Sequence, residues 1–385
     1  MTLTMNSVAT DAKDTAVELL FLSEPDLIEA GVLEMDHCVE VIDKMFHVLG
    51  KGDYLMGGPN ENHHGMMLWF PKEKRFDNMP VAGPDRRFMS LISYLGDDFN
   101  IAGEKWYGSN INNREKGLPR SILTVTLNEV DTGKPLAFMS GNLISAMRTG
   151  AVPGVASRYL ARENSKTLAV VGTGVINKAC VAAIQYAVPS IEEIKVFDIN
   201  QERSKEFIEE MEKDLDCKFK AVSSMEECIR DSDIVTIATS GAKKPEIKDE
   251  WVKKGCLITL TGTAQLSDSF YQNNTIVADN WKMHEAWYRD GLEHPDGIDS
   301  ITSWAPTGDL LKLIHDKKVD ASRIASLGDL VYNKTPLRKS EDETIIFVTG
   351  GLPTEDIAWG YELYKKAKEK SLGQPLKLWD TPHWA

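Results

Sequence analysis

The chain changes its hydrophobic rhythm at about Leu143. Before that point the spacing is mostly that of half-buried strands. Ser121 to Asn128 alternates apolar and polar positions, and Asp131-Thr-Gly-Lys134 turns it back into a second strand, Pro135 to Ser140. Glu18 to Leu22, Met66 to Phe70, Phe88 to Leu95 and Gly103 to Tyr107 read as further strands. Two helices interrupt them. Ser23 caps the first, with Asp26 placed to complete a capping box. The second, Met35 to Leu49, sets Val39, Ile42, Met45, Phe46 and Leu49 on one face. Gly50 to His64 is rich in Gly, Asn and His and reads as loop, and Met1 to Asp14 as a flexible tail.

Beyond Leu143 short apolar runs alternate with helical segments. A long helix, Ser145 to Leu160, leads into strands Leu168–Val171, Ile194–Phe197, Ile234–Thr239, Leu257–Thr261 and Thr275–Ala278. Helices are expected over Ala179 to Ala187, from Gln201, and over Ser224 to Arg230. That alternation predicts a parallel sheet covered by helices on both faces. Ile345 to Thr349 reads as one more strand, ending in Gly350-Gly351, and Thr354 to Lys370 as a last helix. Its position suggests that the chain returns to the first region and makes it discontinuous.

Within the second region, Gly172-Thr173-Gly174 closes the run Leu168 to Val171, and Asp198 closes the next run, Ile194 to Phe197. A strand that ends in a glycine turn lets a pyrophosphate approach bare backbone, and the helix opened by Val175 and Ile176 points its free amides at the phosphates. An acid after the next strand reaches the ribose 2′-hydroxyl. The reading is a nicotinamide dinucleotide site at mid-chain, weighed against an ordinary turn between a core strand and a helix. Asp198 favours NAD over NADP, because a carboxylate repels a 2′-phosphate; Arg203 lies close by and is read as a solvated helix residue. Asn177 stands where the third glycine of the usual fingerprint falls, which predicts looser helix–strand packing. Thr239 and Ser240 end the Ile234 strand, where such sheets bind ligands.

Bulk properties narrow the partners. A net charge of −14 with 26% charged residues, and no basic block, argues against a nucleic-acid surface. No apolar run approaches the roughly 18 residues of a membrane span, and the first residues carry no secretion signal. Cys38, Cys180, Cys217, Cys228 and Cys256 are scattered, as reduced thiols of a cytoplasmic protein are. The eight histidines show no ligand spacing apart from His63-His64, so no metal site is expected.

Four stretches, taken in order, resemble the ornithine cyclodeaminase/μ-crystallin family: Gly103-Glu-Lys105-Trp-Tyr-Gly-Ser-Asn110, Ser145-Ala-Met-Arg148-Thr-Gly, Val171-Gly-Thr-Gly174, and Val348-Thr-Gly350 leading to Glu355-Asp356. The Gly57-Gly58-Pro59 loop and Asp85-Arg86-Arg87 are similar to its long-form branch, which includes siderophore-precursor synthases and proteins labelled as amine-oxidation subunits. The resemblance implies an α/β chain. A Rossmann dinucleotide-binding domain, residues 151–344, would join a discontinuous α+β substrate-binding and dimerisation domain, residues 15–150 and 345–385. It also implies a homodimer.

Residue by residue, Lys105 matches the family's substrate-contacting lysine. An ammonium in a strand of apolar and small residues is costly without a task, and burial near another cation would lower its pKa and suit it to proton transfer. A lysine snorkelling from an edge strand is the bland alternative. Arg148 matches the carboxylate-binding arginine, a task suited to a guanidinium, against a purely structural role at a domain interface. Thr349-Gly350 corresponds to the stretch approaching the nicotinamide ring. Two departures matter. Cyclodeaminases place an aspartate after the strand equivalent to Leu257–Thr261, whereas this chain reads Thr261-Gly262-Thr263-Ala264-Gln265, with no acid until Asp268. That counts against ornithine cyclisation. A second family arginine falls near Gly57 and is missing; either Arg86 or Arg87 replaces it, or the substrate carries less negative charge. His63, His64 and Trp69 could shape a pocket, although loop histidines are more often surface residues.

The expected activity is NAD-dependent oxidation or reduction at the C–N bond of an amino acid, amine or imine, as in amino-acid dehydrogenases, ketimine reductases and opine-type synthases. Two alternatives stay open: ammonia elimination with NAD recycled in place, and a non-catalytic nucleotide-binding protein of the crystallin kind.

Overall fold

The computed structural model describes residues 15–83, 85–239, 243–302, 304–334 and 338–383. Met1 to Asp14 and Ser240 lie outside them. The N-terminal strands are β1 (Val17–Leu22), β2 (Tyr54–Met56), β3 (Met66–Trp69), β4 (Arg87–Leu95), β5 (Ile101–Ser109), β6 (Ser121–Asn128) and β7 (Pro135–Ser140). The next are β8 (Thr167–Val171), β9 (Glu193–Phe197), β10 (Lys218–Ala221), β11 (Ile234–Ile237), β12 (Leu257–Leu260), β13 (Thr275–Ala278), β14 (Ala325–Ser326) and β15 (Ile345–Val348). Strand β16 (Gln374–Trp379) ends the chain.

These strands form two eight-stranded sheets. The first runs β16-β1-β7-β6-β5-β4-β2, with β3 added to β4. It is antiparallel except where β1 lies parallel to β7. The second runs β10-β9-β8-β11-β12-β15-β13-β14 and is parallel throughout. β8, β11, β12 and β15 are almost wholly buried, as expected of central strands with helices on both faces. The strand order reverses beside β8, and the crevice outside the carboxyl ends of β8 and β11 is where doubly wound sheets bind ligands.

The helix Asn142–Leu160 joins the two lobes. It packs against the helix Val175–Ala187 through Gly150 and Gly154. A Cβ at either position would lie 2.3 Å from Ala179 or 2.7 Å from Ala183, so the missing side chains permit the close approach.

Four expectations are corrected. Gly50 to His64 is not all loop. Its Tyr54–Met56 pairs antiparallel with β4, and Gly57 bridges to His63. The Ile345 strand belongs to the parallel sheet between β12 and β13, so the chain crosses back after Val348, and the helix Pro353–Glu369 is the returning element. The first sheet gains an unforeseen edge strand, β16, whose wholly exposed sequence carries no burial pattern to reveal it. Finally, Asn177 does not loosen the turn. It is fully buried, and its Nδ2 donates to the carbonyls of Val171 (2.9 Å) and Gly172 (2.6 Å), bonds that a glycine cannot make.

Candidate active site

Gly172 adopts φ +91° at the end of β8, and a Cβ there would lie 2.9 Å from the Ala238 carbonyl oxygen. Both facts demand glycine. Gly174 caps the helix Val175–Ala187, and the space where its Cβ would stand is open. Asp198 leaves the end of β9 and braces this turn: its Oδ2 accepts from the Thr173 amide (3.0 Å) and hydroxyl (2.9 Å). Beside it Ile199 is 93% exposed, an apolar surface that a flat ring would cover. Open backbone, free helix amides and an acid at the rim fit a dinucleotide. Thr239 packs over Gly172 and, with Thr261, Gly262 and Thr263, lines one wall of a cleft of about 1070 Å³ between the lobes.

A closed group of charges lies where β5, the connecting helix and the helix Pro353–Glu369 meet. Lys105, on β5, is 2% exposed; its Nζ donates to Asp356 Oδ2 at 2.6 Å and to Ser145 Oγ at 3.3 Å. Arg148, on the connecting helix, donates from Nε to Asp356 Oδ1 at 2.9 Å and from its Nη1 to Glu355. Glu355 and Asp356 sit in the first turn of the helix Pro353–Glu369, fully buried, where helix amides favour negative charge. Burial and the neighbouring Arg148 lower the Lys105 pKa to about 8, against the pull of Asp356. Burial raises that of Glu355 to about 7 despite Arg148, and its Oε1 has no hydrogen-bond partner among the described residues. Burial opposes the Arg148 charge, yet Asp356 and Glu355 outweigh it and its pKa rises.

Thr349, Gly350 and Gly351 form the crossing between the sheets. Asp279, at the end of β13, gathers the Thr349 hydroxyl (2.9 Å) and the amides of Gly350 (2.7 Å) and Gly351 (3.2 Å), and accepts from His284 Nε2 at 2.8 Å. His64 Nδ1 donates to the Gly351 carbonyl at 2.7 Å. Burial and the Lys105 charge depress its pKa to about 3, so it is neutral.

The structure thus brings Lys105 and Arg148 together and sets Thr349 and Gly350 alongside. Arg148 is already held by two carboxylates. Arg86 bonds the Val81 carbonyl at 3.1 Å, whereas Arg87 lines the cleft between the rings of Trp69 and Tyr107. The surface reading of the histidines is corrected: His64 is buried and His63 pairs with Asp290 at 2.9 Å. Sequence reasoning noted Glu355-Asp356 and Ser145 without a role and passed over Asp279 and His284. Two adjacent acids after a glycine pair were the available signal. Asp268 pairs with Lys318 at 2.8 Å, and no acid stands in the 261–265 segment that lines the cleft.

The glycine turn of the parallel sheet defines an α/β protein of the dinucleotide-binding kind, with a buried lysine–arginine–carboxylate group in its other lobe. The chain belongs to the ornithine cyclodeaminase/mu-crystallin family, whose profile matches residues 32–371. It is 26% identical to N-((2S)-2-amino-2-carboxyethyl)-L-glutamate dehydrogenase of Staphylococcus aureus, covering 94% of this chain and 99% of that protein. It is 30% identical to alanine dehydrogenase of Archaeoglobus fulgidus, over 72% and 80% of the two chains. The structure of Thermococcus litoralis Δ1-pyrroline-2-carboxylate reductase with NADH and L-proline superposes with a TM-score of 0.75. It is 28% identical, over 92% of this chain and 99% of that one.

Proposed function

We propose that this protein is an NAD-dependent oxidoreductase that oxidises the C–N bond of an α-amino acid, or reduces the corresponding imine, with Lys105 managing the proton on nitrogen. The observation that carries this reading is the buried group Lys105–Asp356–Arg148–Glu355, whose Arg148 lies against Gly351, directly after the Thr349-Gly350 stretch that leaves the parallel sheet. Gly172 to Ile176 and Asp198 would hold the cofactor, with Thr239, Thr349 and Gly350 towards its reactive end. Bound NAD supplies one hydride acceptor per turnover.

The chain's own residues do the rest. Asp356 fixes the Lys105 ammonium, whose lowered pKa lets it give up or take a proton near neutral pH. Arg148 is the cation for a substrate carboxylate, and Glu355 competes for it. Because burial raises the Glu355 pKa to about 7, protonation of that acid weakens its hold on Arg148 and frees the guanidinium. In oxidation the amine carbon loses hydride, nitrogen loses one proton and a C=N bond forms. Water then divides an open-chain imine into an amine and a 2-oxo acid. The missing acid at 261–265 favours this chemistry over cyclisation with ammonia loss.

A second copy of the chain is the proposed partner. Leu55, Phe88, Ile92, Trp106, Ile122 and Phe138 lie exposed together on the face of the first sheet turned away from the returning helix, and contiguous apolar faces mark interaction sites. All five cysteines are free, which suits a reducing compartment such as the cytoplasm, and among the described residues no helix is long and apolar enough to cross a membrane.

The test is a screen of amino acids, amines and 2-oxo acid plus amine pairs with NAD(H) and NADP(H), followed at 340 nm. Net NADH turnover supports the reading. Ammonia release without net cofactor change supports the lyase alternative and overturns it.

A further inference from the structure

The Gly350-Gly351 crossing is gripped from two sides, more tightly than a turn requires. On one side stands Asp279, wholly buried at the end of β13. Its Oδ2 gathers the Thr349 hydroxyl and the Gly350 and Gly351 amides. Its Oδ1 accepts from the Asn280 amide at 2.7 Å and from His284 Nε2 at 2.8 Å. His284 is fixed in turn: it is buried, and its Nδ1 stands 2.9 Å from the Thr307 hydroxyl. With both oxygens engaged, the carboxylate has no freedom to turn.

On the other side stands His64. Its Nδ1 donates to the Gly351 carbonyl at 2.7 Å, and its ring tilts against Trp287 with centroids 5.2 Å apart. The next residue anchors it to the first sheet. A Cβ on Gly65 would lie 2.7 Å from the Ser90 carbonyl oxygen and 2.9 Å from the Leu91 side chain, and Leu91 is the β4 residue paired with Lys105.

The neighbours of this peptide give the grip a purpose. Gly351, at φ +78°, lies against Arg148, whose Nη1 stands 2.7 Å from the place of a Cβ. Trp287 presses on Gly350, 2.5 Å from the place of its Cβ. Thr349-Gly350 is the stretch assigned above to the reactive end of the cofactor. One short segment therefore adjoins both the cation for the substrate carboxylate and the expected place of the nicotinamide. Reaction between two bound molecules depends steeply on their separation, and a misplacement of about 1 Å costs on the order of 10²-fold in rate.

Resting on the redox reading, we infer that Asp279 and His64 are positioning residues. They hold the Gly350-Gly351 peptide, and that peptide sets the Arg148 guanidinium at a fixed distance from the nicotinamide. Neither residue touches the substrate. His64 acts through its Nδ1–H alone, and Asp279 through its grip on the two amides.

Three variants of the full chain test this: His64→Ala, which removes the donor to Gly351; His64→Asn, whose amide nitrogen falls near the place of Nδ1 and restores it; and Asp279→Asn, which loses a full acceptor. Crystal structures of the NAD-loaded variants show where Arg148 stands, and kinetics with the best substrate of the screen show what the shift costs. Thermal unfolding shows which variants are folded, with His64→Asn the mildest. In His64→Ala and Asp279→Asn the guanidinium should move by about 1 Å and kcat/KM should fall about 10²-fold, with NAD affinity near its original value. His64→Asn should return Arg148 to its place and kcat/KM to within about fivefold of the unaltered chain. An unmoved guanidinium or an unchanged kcat/KM in folded His64→Ala overturns the inference. So does His64→Asn no better than His64→Ala, which would give the ring a task beyond its Nδ1–H. A guanidinium displaced in His64→Ala and restored in His64→Asn, in a protein that turns over nothing in the screen, would leave the positioning standing and sink the redox reading.

Discussion

The glycine turn at Gly172 and the charge group around Lys105 solve opposite problems. The turn is open: the space beside Gly174 is empty and Ile199 faces solvent. Its order comes from the protein side, where Asn177 ties down the carbonyls beneath it and Asp198 braces Thr173. The charge group is closed: four buried ionisable side chains bond one another, with only Glu355 Oε1 left over among their described atoms. A surface assembled in advance binds by being vacant. A buried group reacts because its charges are nearly balanced, so a small change in protonation redistributes its bonds.

Substitutions at each end test that contrast. The largest effect is expected from Lys105→Ala, which should lower turnover by about 10²- to 10⁴-fold while NAD affinity, read by nucleotide fluorescence titration, stays near its original value. Loss of both together would tie the two regions into one structural unit. Next, Asn177→Ala should leave the Val171 and Gly172 carbonyls without their buried donor. It should cost about 1–3 kcal/mol in denaturant unfolding, with weaker nucleotide binding; an unchanged midpoint would show that the turn holds itself. Asp198→Ala should shift the NAD-to-NADP affinity ratio by about tenfold towards NADP, and an unaltered ratio would remove the acid from the ribose.

The smallest effect concerns pH. The raised pKa of Glu355 gives stability that is present below 4.5 and lost as pH rises through about 7. The depressed pKa of His64 acts in the opposite sense, present above 6.5 and lost as pH falls through about 3. Glu355→Gln removes only the first contribution, so stability should rise more steeply with pH between 4.5 and 6.5 in that variant. Unfolding midpoints measured across that range check the slope. Equal slopes in the two proteins would mean that Glu355 is ionised throughout.

The two regions also differ in how far their sequences betray them. Gly172, Gly174 and Asp198 belong to consecutive strand ends, so local spacing exposes the turn, and the same periodicity announces the parallel sheet. Lys105 reaches Asp356 across 251 residues, and Arg148 reaches it across 208. No local pattern encodes such a meeting; only the resemblance of the four stretches suggested that Lys105 and Arg148 belong together. Glu355 and Asp356 were quoted without a role because burial, which gives them their chemistry, is settled by the first sheet packed over them. His64 misled for the same reason. Its loop composition is that of a surface, and its contact with the Gly351 carbonyl joins positions 287 residues apart.

The account stands or falls on hydride passing between the nicotinamide and the carbon that bears nitrogen. NADH deuterated on the transferred face of C4, incubated with the enzyme and the best imine or 2-oxo acid plus amine pair from the screen, tests this directly by mass spectrometry of the product. One deuterium on the nitrogen-bearing carbon per NADH consumed is predicted. Product formed without the label, or ammonia lost while the cofactor returns unchanged, would contradict it.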